Sequence, residues 1–277
     1  MAGDGALFGV EQSLKGRAWR LSPADDAVAS AIARTAGVSD ALARLLASRG
    51  VTAEAAPRFL APRLRDHFPD PSSFTGMDDC AALIWDAVEA GSKIALFADY
   101  DVDGATSAAQ LHGWLMAVGA EPLIYVPDRI EEGYGPNTAA LQGLHEAGAE
   151  LVITLDCGAA SVEPLAAAAR IGLTVGVVDH HLMDGAPPQA AALVNPNQPG
   201  DASGCGHMAA AGVTFVLLAA LNREGRRRGV FAGRSEPDIL SFADLAALGT
   251  ICDVVPLTGI NRAIVAQGLK LMSGWTR

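Results

Sequence analysis

From about residue 93 the chain alternates short, unbroken apolar runs with longer Ala-rich stretches. The runs fall at 94–97, 123–126, 151–155, 175–178 and 191–194. Each is followed by polar or Gly-rich sequence, and apolar residues then recur three and four apart over 104–118, 137–147 and 161–171. Further helical patterns cover 208–222, 238–251 and 260–273. Brief continuous apolar strands separated by helices predict an α/β fold: a Rossmann-like parallel β-sheet with helices on both faces. The preceding part reads differently. Residues 1–23 scatter glycines among polar groups and predict an irregular arm, while 26–36, 38–48 and 78–90 carry helical periodicity. Ser39 and Thr52 stand where N-caps would, and Pro57, Pro62, Pro69 and Pro71 break the chain into turns. The expected organisation is an N-terminal arm and helical segment over 1–75 and an α/β domain over 76–277. The Arg-rich stretch 223–237 reads as a polar connection.

Composition narrows the function classes. A chain of 277 residues can bury a full core, and 50% hydrophobic with 18% charged residues excludes disorder. The 31 acidic against 20 basic residues give a net charge of −11, which argues against gripping a polyanion by charge alone. The four cysteines, Cys80, Cys157, Cys205 and Cys252, show no CxxC spacing, so neither a disulfide framework nor a zinc ribbon is expected. A reducing, cytoplasmic setting fits them. No apolar run reaches the roughly 18 residues of a membrane span, so no membrane association is expected.

Acidic residues and histidines recur where strands end. Asp99, Asp101 and Asp103 follow the first run, Asp156-Cys157-Gly158 the third, Asp179-His180-His181 the fourth, and Asp253 comes late in the chain. In an open parallel sheet the carboxyl ends of all strands share one edge, where ligands bind, so distant residues can converge there. Singly, each group has an ordinary reading: Asp99, Asp101 and Asp103 as turn residues or helix caps, Asp156 as part of a strand-to-helix turn. Together, and in order, they point to cation binding, since converging carboxylates repel without a counter-charge. Hard divalent ions prefer carboxylate oxygen, and Mn²⁺ also accepts imidazole. Two such ions about 3.5–4 Å apart can promote phosphoryl hydrolysis. Thr106 and Ser107 lie near a helix N-terminus, where backbone N–H groups favour a phosphate.

The stretches 99–107, 156–158, 179–181 and 249–256 resemble motifs I to IV of the DHH phosphoesterase superfamily. Asp-Tyr-Asp-Val-Asp-Gly-Ala-Thr-Ser and Ala-Leu-Gly-Thr-Ile-Cys-Asp-Val-Val-Pro-Leu are similar to the RecJ branch, single-strand-specific 5′→3′ DNA exonucleases. Residues 129–137 and 206–217 support that branch. The resemblance implies that Asp101, Asp103, Asp156, His180 and Asp253 ligate two Mn²⁺ or Mg²⁺ ions, with Asp156 bridging. It leaves Asp99 either a ligand or an outer support. Asp179 would orient His180 through its other ring N–H, and His181 would face the scissile phosphate. The implied partners are single-stranded DNA, a single-stranded-DNA-binding protein and a helicase, in DNA repair and recombination. RecJ proteins are about twice this length and add a DHHA1 domain and an OB-fold. Their absence here predicts a fragment, with the basic DNA-gripping surface outside this chain and weak activity from the chain alone.

Other features have competing readings. Arg223, Arg226, Arg227 and Arg228 read as solvated surface rather than a DNA contact. Trp114 reads as core, whereas Tyr134 is a candidate for stacking on a base. Cys157 and Cys252 read as small buried filler beside ligands. The sequence 205–212 resembles the Gly-Gly-His motif of DHHA1 but reads as a loop entering a helix. Two alternative functions follow from the same motifs: a phosphodiesterase for short oligonucleotides or cyclic dinucleotides, and a catalytically inactive DHH scaffold. Loss of ligands would mark the scaffold, and all of them are present.

Overall fold

The computed structural model describes residues 6–21 and 23–274, in two compact units, Met1–Pro62 and Arg63–Arg277. Residues 1–5 and 22 of the expected arm lie outside the described residues.

The first unit is helical. Helix α1 (Asp26–Ala36) is capped by Asp25, whose carboxylate accepts from the Ala27 and Val28 amides. Helix α2 (Asp40–Ser48) is capped by Ser39, as the sequence predicts. The Thr52 hydroxyl accepts from the Ala55 amide just before α3 (Ala56–Leu60). Their apolar faces meet around Ile32, Ala43, Leu46, Val51 and Ala56.

The second unit holds α4 (Leu64–His67), α5 (Met77–Ala90), β1 (Ile94–Ala98), α6 (Val102–Ala117), β2 (Leu123–Tyr125), α7 (Thr138–Glu146), β3 (Leu151–Leu155), α8 (Val162–Arg170), β4 (Thr174–Val178), β5 (Ala192–Val194), α9 (Ala210–Arg227), α10 (Ala243–Cys252) and α11 (Gly259–Met272). The five strands form one sheet in the order β2-β1-β3-β4-β5, and every pairing is parallel. Side chains alternate across it. Ile94, Leu96 and Ala98 join a core with α5, α6, α9, α10 and α11, while Ala95 and Phe97 join a second core with α7 and α8. Both faces are therefore covered, which is why β1 reads as an unbroken apolar run and β3 is interrupted only by Thr154, whose buried hydroxyl donates to the Cys157 carbonyl. Leu64 and Phe68 pack against the first core, so residues from 63 onward belong to this unit.

Trp114 is buried, as expected, and its indole donates to Asn222 Oδ1 at 2.7 Å. The indole of Trp85, edge-on to Trp114, donates to the Leu221 carbonyl. Helix α9 runs through Arg227 rather than ending near 222. Ion pairs explain the extension: Glu224 accepts from Arg227 and Arg228 on the next turn, and Arg228 also reaches Asp86 and Glu89 on α5. Arg223 pairs with Asp70 and Arg226 with Glu236. The Arg-rich stretch is thus helical through Arg227, with Arg223, Arg226, Arg227 and Arg228 neutralised by carboxylates, and the connection proper is 228–237. Residues 205–209 form the loop that enters α9. Among the described residues no helix is long and apolar enough to cross a membrane.

Candidate metal centre

Strand order reverses at β1, whose neighbours β2 and β3 lie on opposite sides. Such a switch point opens a crevice at the carboxyl edge. The carboxylates of the strand ends meet there. Asp99 directly follows β1, and its amide donates to the Leu155 carbonyl. Asp101 is the N-cap of α6 and accepts from the Gly104 amide at 3.0 Å. Gly104 is required by close approach, since a Cβ there would stand 2.5 Å from the Asp99 carbonyl oxygen. In the first turn of α6, the buried Asp103 accepts from the Ala210 and Ala211 amides at 2.7 and 2.8 Å, tying α6 to the start of α9.

Asp156 follows β3 with φ 63°, a left-handed conformation that Asp tolerates better than most residues. It is 2% exposed. His180 follows β4 by two residues. Its Nε2 lies 3.3 Å from Asp156 Oδ1, 3.7 Å from Asp253 Oδ2 and 3.8 Å from Asp103 Oδ2. Asp253 caps the end of α10. Three sets of donor atoms are close enough to share an ion: Asp99 with Asp101 and Asp156, Asp103 with His180 and Asp253, and Asp156 with His180 and His181. Asp156 and His180 each belong to two sets. Asp99 Oδ1, Asp156 Oδ1 and His180 Nε2 are buried without a hydrogen-bond partner. Burial, and then the charges of Asp103 and Asp101, push the Asp156 carboxyl up to about 10. Burial moves Asp103 to about 6 and raises Asp99 and Asp253. Five carboxylates around the His180 ring, two with orphaned buried oxygens and four with raised pKa values, are a site short of positive charge. The donor set of oxygens with one imidazole nitrogen fits a hard divalent ion.

Asp179 differs from its expected role. Its Oδ1 accepts from the backbone amides of both His180 and His181 and lies 2.7 Å from His181 Nδ1. It therefore orients His180 through the main chain and meets the ring of His181 instead. The same hydrogen bond raises the His181 pKa. Although burial pushes Asp179 up, contacts with His181 and the Ala159 amide hold it below the usual range. His181 is half-exposed at the rim. Tyr134 donates to the Asp156 carbonyl at 3.0 Å and leaves its ring 54% exposed beside His181.

Thr106 and Ser107 do not reach the crevice as expected. The Thr106 hydroxyl bonds back to the Val102 and Asp103 carbonyls, and Ser107 is fully buried. Both side chains are buried within the packed helices. Cys157 is buried filler as expected, but Cys252 is exposed. Sequence reasoning missed Asn195 and Asn197, which bond the carbonyls of His181 and His180. Their signal was a polar Asn-Pro-Asn directly after β5, at the same sheet edge. It also missed Gly249, where a Cβ would press on Asp103, and Tyr100, whose ring meets Tyr134 edge-on and lies under the Arg129 guanidinium.

The fold and site define a doubly wound α/β domain with a carboxylate–imidazole centre at its switch point. The chain belongs to the DHH family: residues 93–250 match the N-terminal domain of that family. It is 37% identical over 253 residues to the single-stranded-DNA-specific exonuclease RecJ of Bacillus subtilis, covering 91% of this chain and 30% of that protein. The chain thus spans about a third of the length of that relative. Its fold superposes on a crystal structure of exonuclease RecJ bound to manganese with a TM-score of 0.62 at 38% identity, covering 71% of this chain and 48% of the other. A second match, RecJ from Thermus thermophilus in complex with Mn²⁺, has a TM-score of 0.70 at 31% identity, covering 90% and 34%.

Proposed function

We propose that this chain is the metal-binding half of a RecJ-type exonuclease, hydrolysing single-stranded DNA from its 5′ end in repair and recombination. The observation that carries the reading is the convergence of His180 Nε2 on Asp103, Asp156 and Asp253 beside buried, unpartnered carboxylate oxygen. Two divalent ions, Mn²⁺ or Mg²⁺, suit the donors: Asp99 and Asp101 on one side, Asp103, His180 and Asp253 on the other, with Asp156 shared. Bound there, such ions would lower the pKa of water and neutralise charge on a phosphoryl group.

The chain's own residues do the rest. Asp156 holds a proton when no cation is present and would release it to ligate. Asp179 fixes His181 by its Nδ1, and that hydrogen bond raises the pKa of the ring and so favours its charged form, which can meet phosphate oxygen. Tyr134 offers an exposed ring edge to a sugar or base. A net charge of −11 does not hold DNA, so tight binding depends on surfaces outside these residues. The resemblance further suggests a cytoplasmic setting, with a single-stranded-DNA-binding protein and a helicase as partners. Loss of positioning by those outside surfaces leaves the chain alone weakly active.

The test pairs calorimetry with end-labelled single-stranded DNA. Two Mn²⁺ per chain, abolition of at least one site by Asp156→Ala, and slow Mn²⁺-dependent release of 5′-mononucleotides are expected. Absence of Mn²⁺ binding would sink the metal reading, and release from the 3′ end would sink the polarity.

A further inference from the structure

The dipeptide His180–His181 lies just beyond the sheet. The last ladder-like bond on that side is from the Asp179 amide to the Val194 carbonyl, at 2.9 Å. The two histidines that follow have no strand partner, yet all four of their backbone polar groups are held. Both amides donate to Asp179 Oδ1, at 2.7 and 3.2 Å. The His180 carbonyl accepts from Asn197 Nδ2 at 2.6 Å, and the His181 carbonyl from Asn195 Nδ2 at 2.9 Å. The two asparagines are themselves joined, Asn195 Oδ1 accepting from the Asn197 amide at 2.8 Å. Asn195 is fully buried. Asn197 Nδ2 also donates to the Gly206 carbonyl at 3.0 Å, which anchors the clamp to the loop before α9.

We infer that Asn195 and Asn197 are positioning residues for the metal centre: they lock the backbone of His180–His181 and so hold His180 Nε2 among Asp103, Asp156 and Asp253. The physical need is specific. A ligating imidazole must be held to within a fraction of an ångström, and outer supports of ligands commonly alter metal affinity 10–100-fold. Here the support acts on the main chain, where the His180 amide and carbonyl are both held while Nε2 is aimed at the carboxylates. The strand-end position supplies no ladder bonds of its own. Side chains replace the missing strand.

The inference rests on the metal reading above, so its test has one arm with metal and one without. The variants are Asn197→Ala and Gly206→Ala. The second touches no histidine, but a Cβ at 206 would stand 2.3 Å from Asn197 Oδ1 and must displace that side chain. In calorimetry with Mn²⁺, each variant should weaken affinity about tenfold. The two should not add when combined, since they remove one clamp. In a His180→Ala background Asn197→Ala should produce no further loss. In the metal-free chain, hydrogen exchange of the 180 and 181 amides should accelerate about tenfold in Asn197→Ala, on the scale of one or two lost hydrogen bonds. The β4 amides should stay protected. Unchanged Mn²⁺ affinity in Asn197→Ala, or an equal loss in the His180→Ala background, would overturn the assignment. If the parent chain bound no Mn²⁺, the metal reading would fall by itself, and unchanged exchange at 180 and 181 would overturn the clamp independently.

Discussion

Replacing Asp156 by Asn should stabilise the metal-free chain while destroying its ion site. The carboxyl is 2% exposed, and its Oδ1 has no hydrogen-bond partner. Burial first, and then Asp103 and Asp101, push its pKa up to about 10. In the unfolded chain the value is near 3.9. The native state therefore binds more protons than the unfolded state between about pH 4 and pH 10, and in that window stability falls as pH rises. Because pH 7 lies about three units above the unfolded pKa and still below the folded one, the cost there, at about 1.36 kcal/mol per unit, is roughly 4 kcal/mol. Relaxation around the site and sharing of the proton with Asp103 reduce the expected gain to about 2–4 kcal/mol. Asn keeps the shape, never ionises and tolerates the φ of 63°. Urea unfolding in EDTA should show Asp156→Asn more stable than the parent at pH 7, with the gap closing toward pH 4. Excess Mn²⁺ should reverse the order, because only the parent gains the free energy of ion binding. A parent at least as stable as the variant in EDTA at pH 7, or a gap equal at both pH values, would refute the argument.

Gly249→Ala should cost about 1–3 kcal/mol by overpacking and weaken Mn²⁺ binding. Its Cβ would stand 2.4 Å from Thr106 Oγ1, 2.5 Å from Ala211 Cβ and 2.7 Å from Asp103 Oδ1; unchanged unfolding and calorimetry would contradict this. Val254, beside Asp253, has φ 61° and is 84% exposed, so strain is not offset by burial. Val254→Gly should raise stability by about 1 kcal/mol in thermal unfolding, and a loss would show that the isopropyl group packs. Ser107→Ala should be neutral or stabilising by about 1 kcal/mol and leave nuclease activity intact, because the buried Oγ has no partner. A fall in activity would restore Ser107 to a phosphate-binding role.

Much of this organisation was legible in the chain. Burial on both faces forces strands such as 94–98 to be wholly apolar, so the five strands and their parallel arrangement could be read directly. Asp101, Asp103, Asp156 and His180 could be read as one site because all parallel strands end on one edge, whereas Asp253, at the end of α10, entered as a ligand only through the motif resemblance. Other features depended on neighbours remote in sequence. Ser107 and Thr106 looked like phosphate contacts, but the packing of α6 buries both, Thr106 against Gly249 of α10. Helix α9 outran its apolar pattern because Arg228 found Asp86 and Glu89 on α5. Asp179 met the ring of His181, and Asn195 and Asn197 took the carbonyls of both histidines. The sequence by itself determined which chemical groups reach the sheet edge, since strand periodicity and chain direction are local properties. Only the tertiary structure decided which group each one bonds, because hydrogen bonds of 2.6–2.9 Å depend on the relative placement of elements that the chain brings together from far apart.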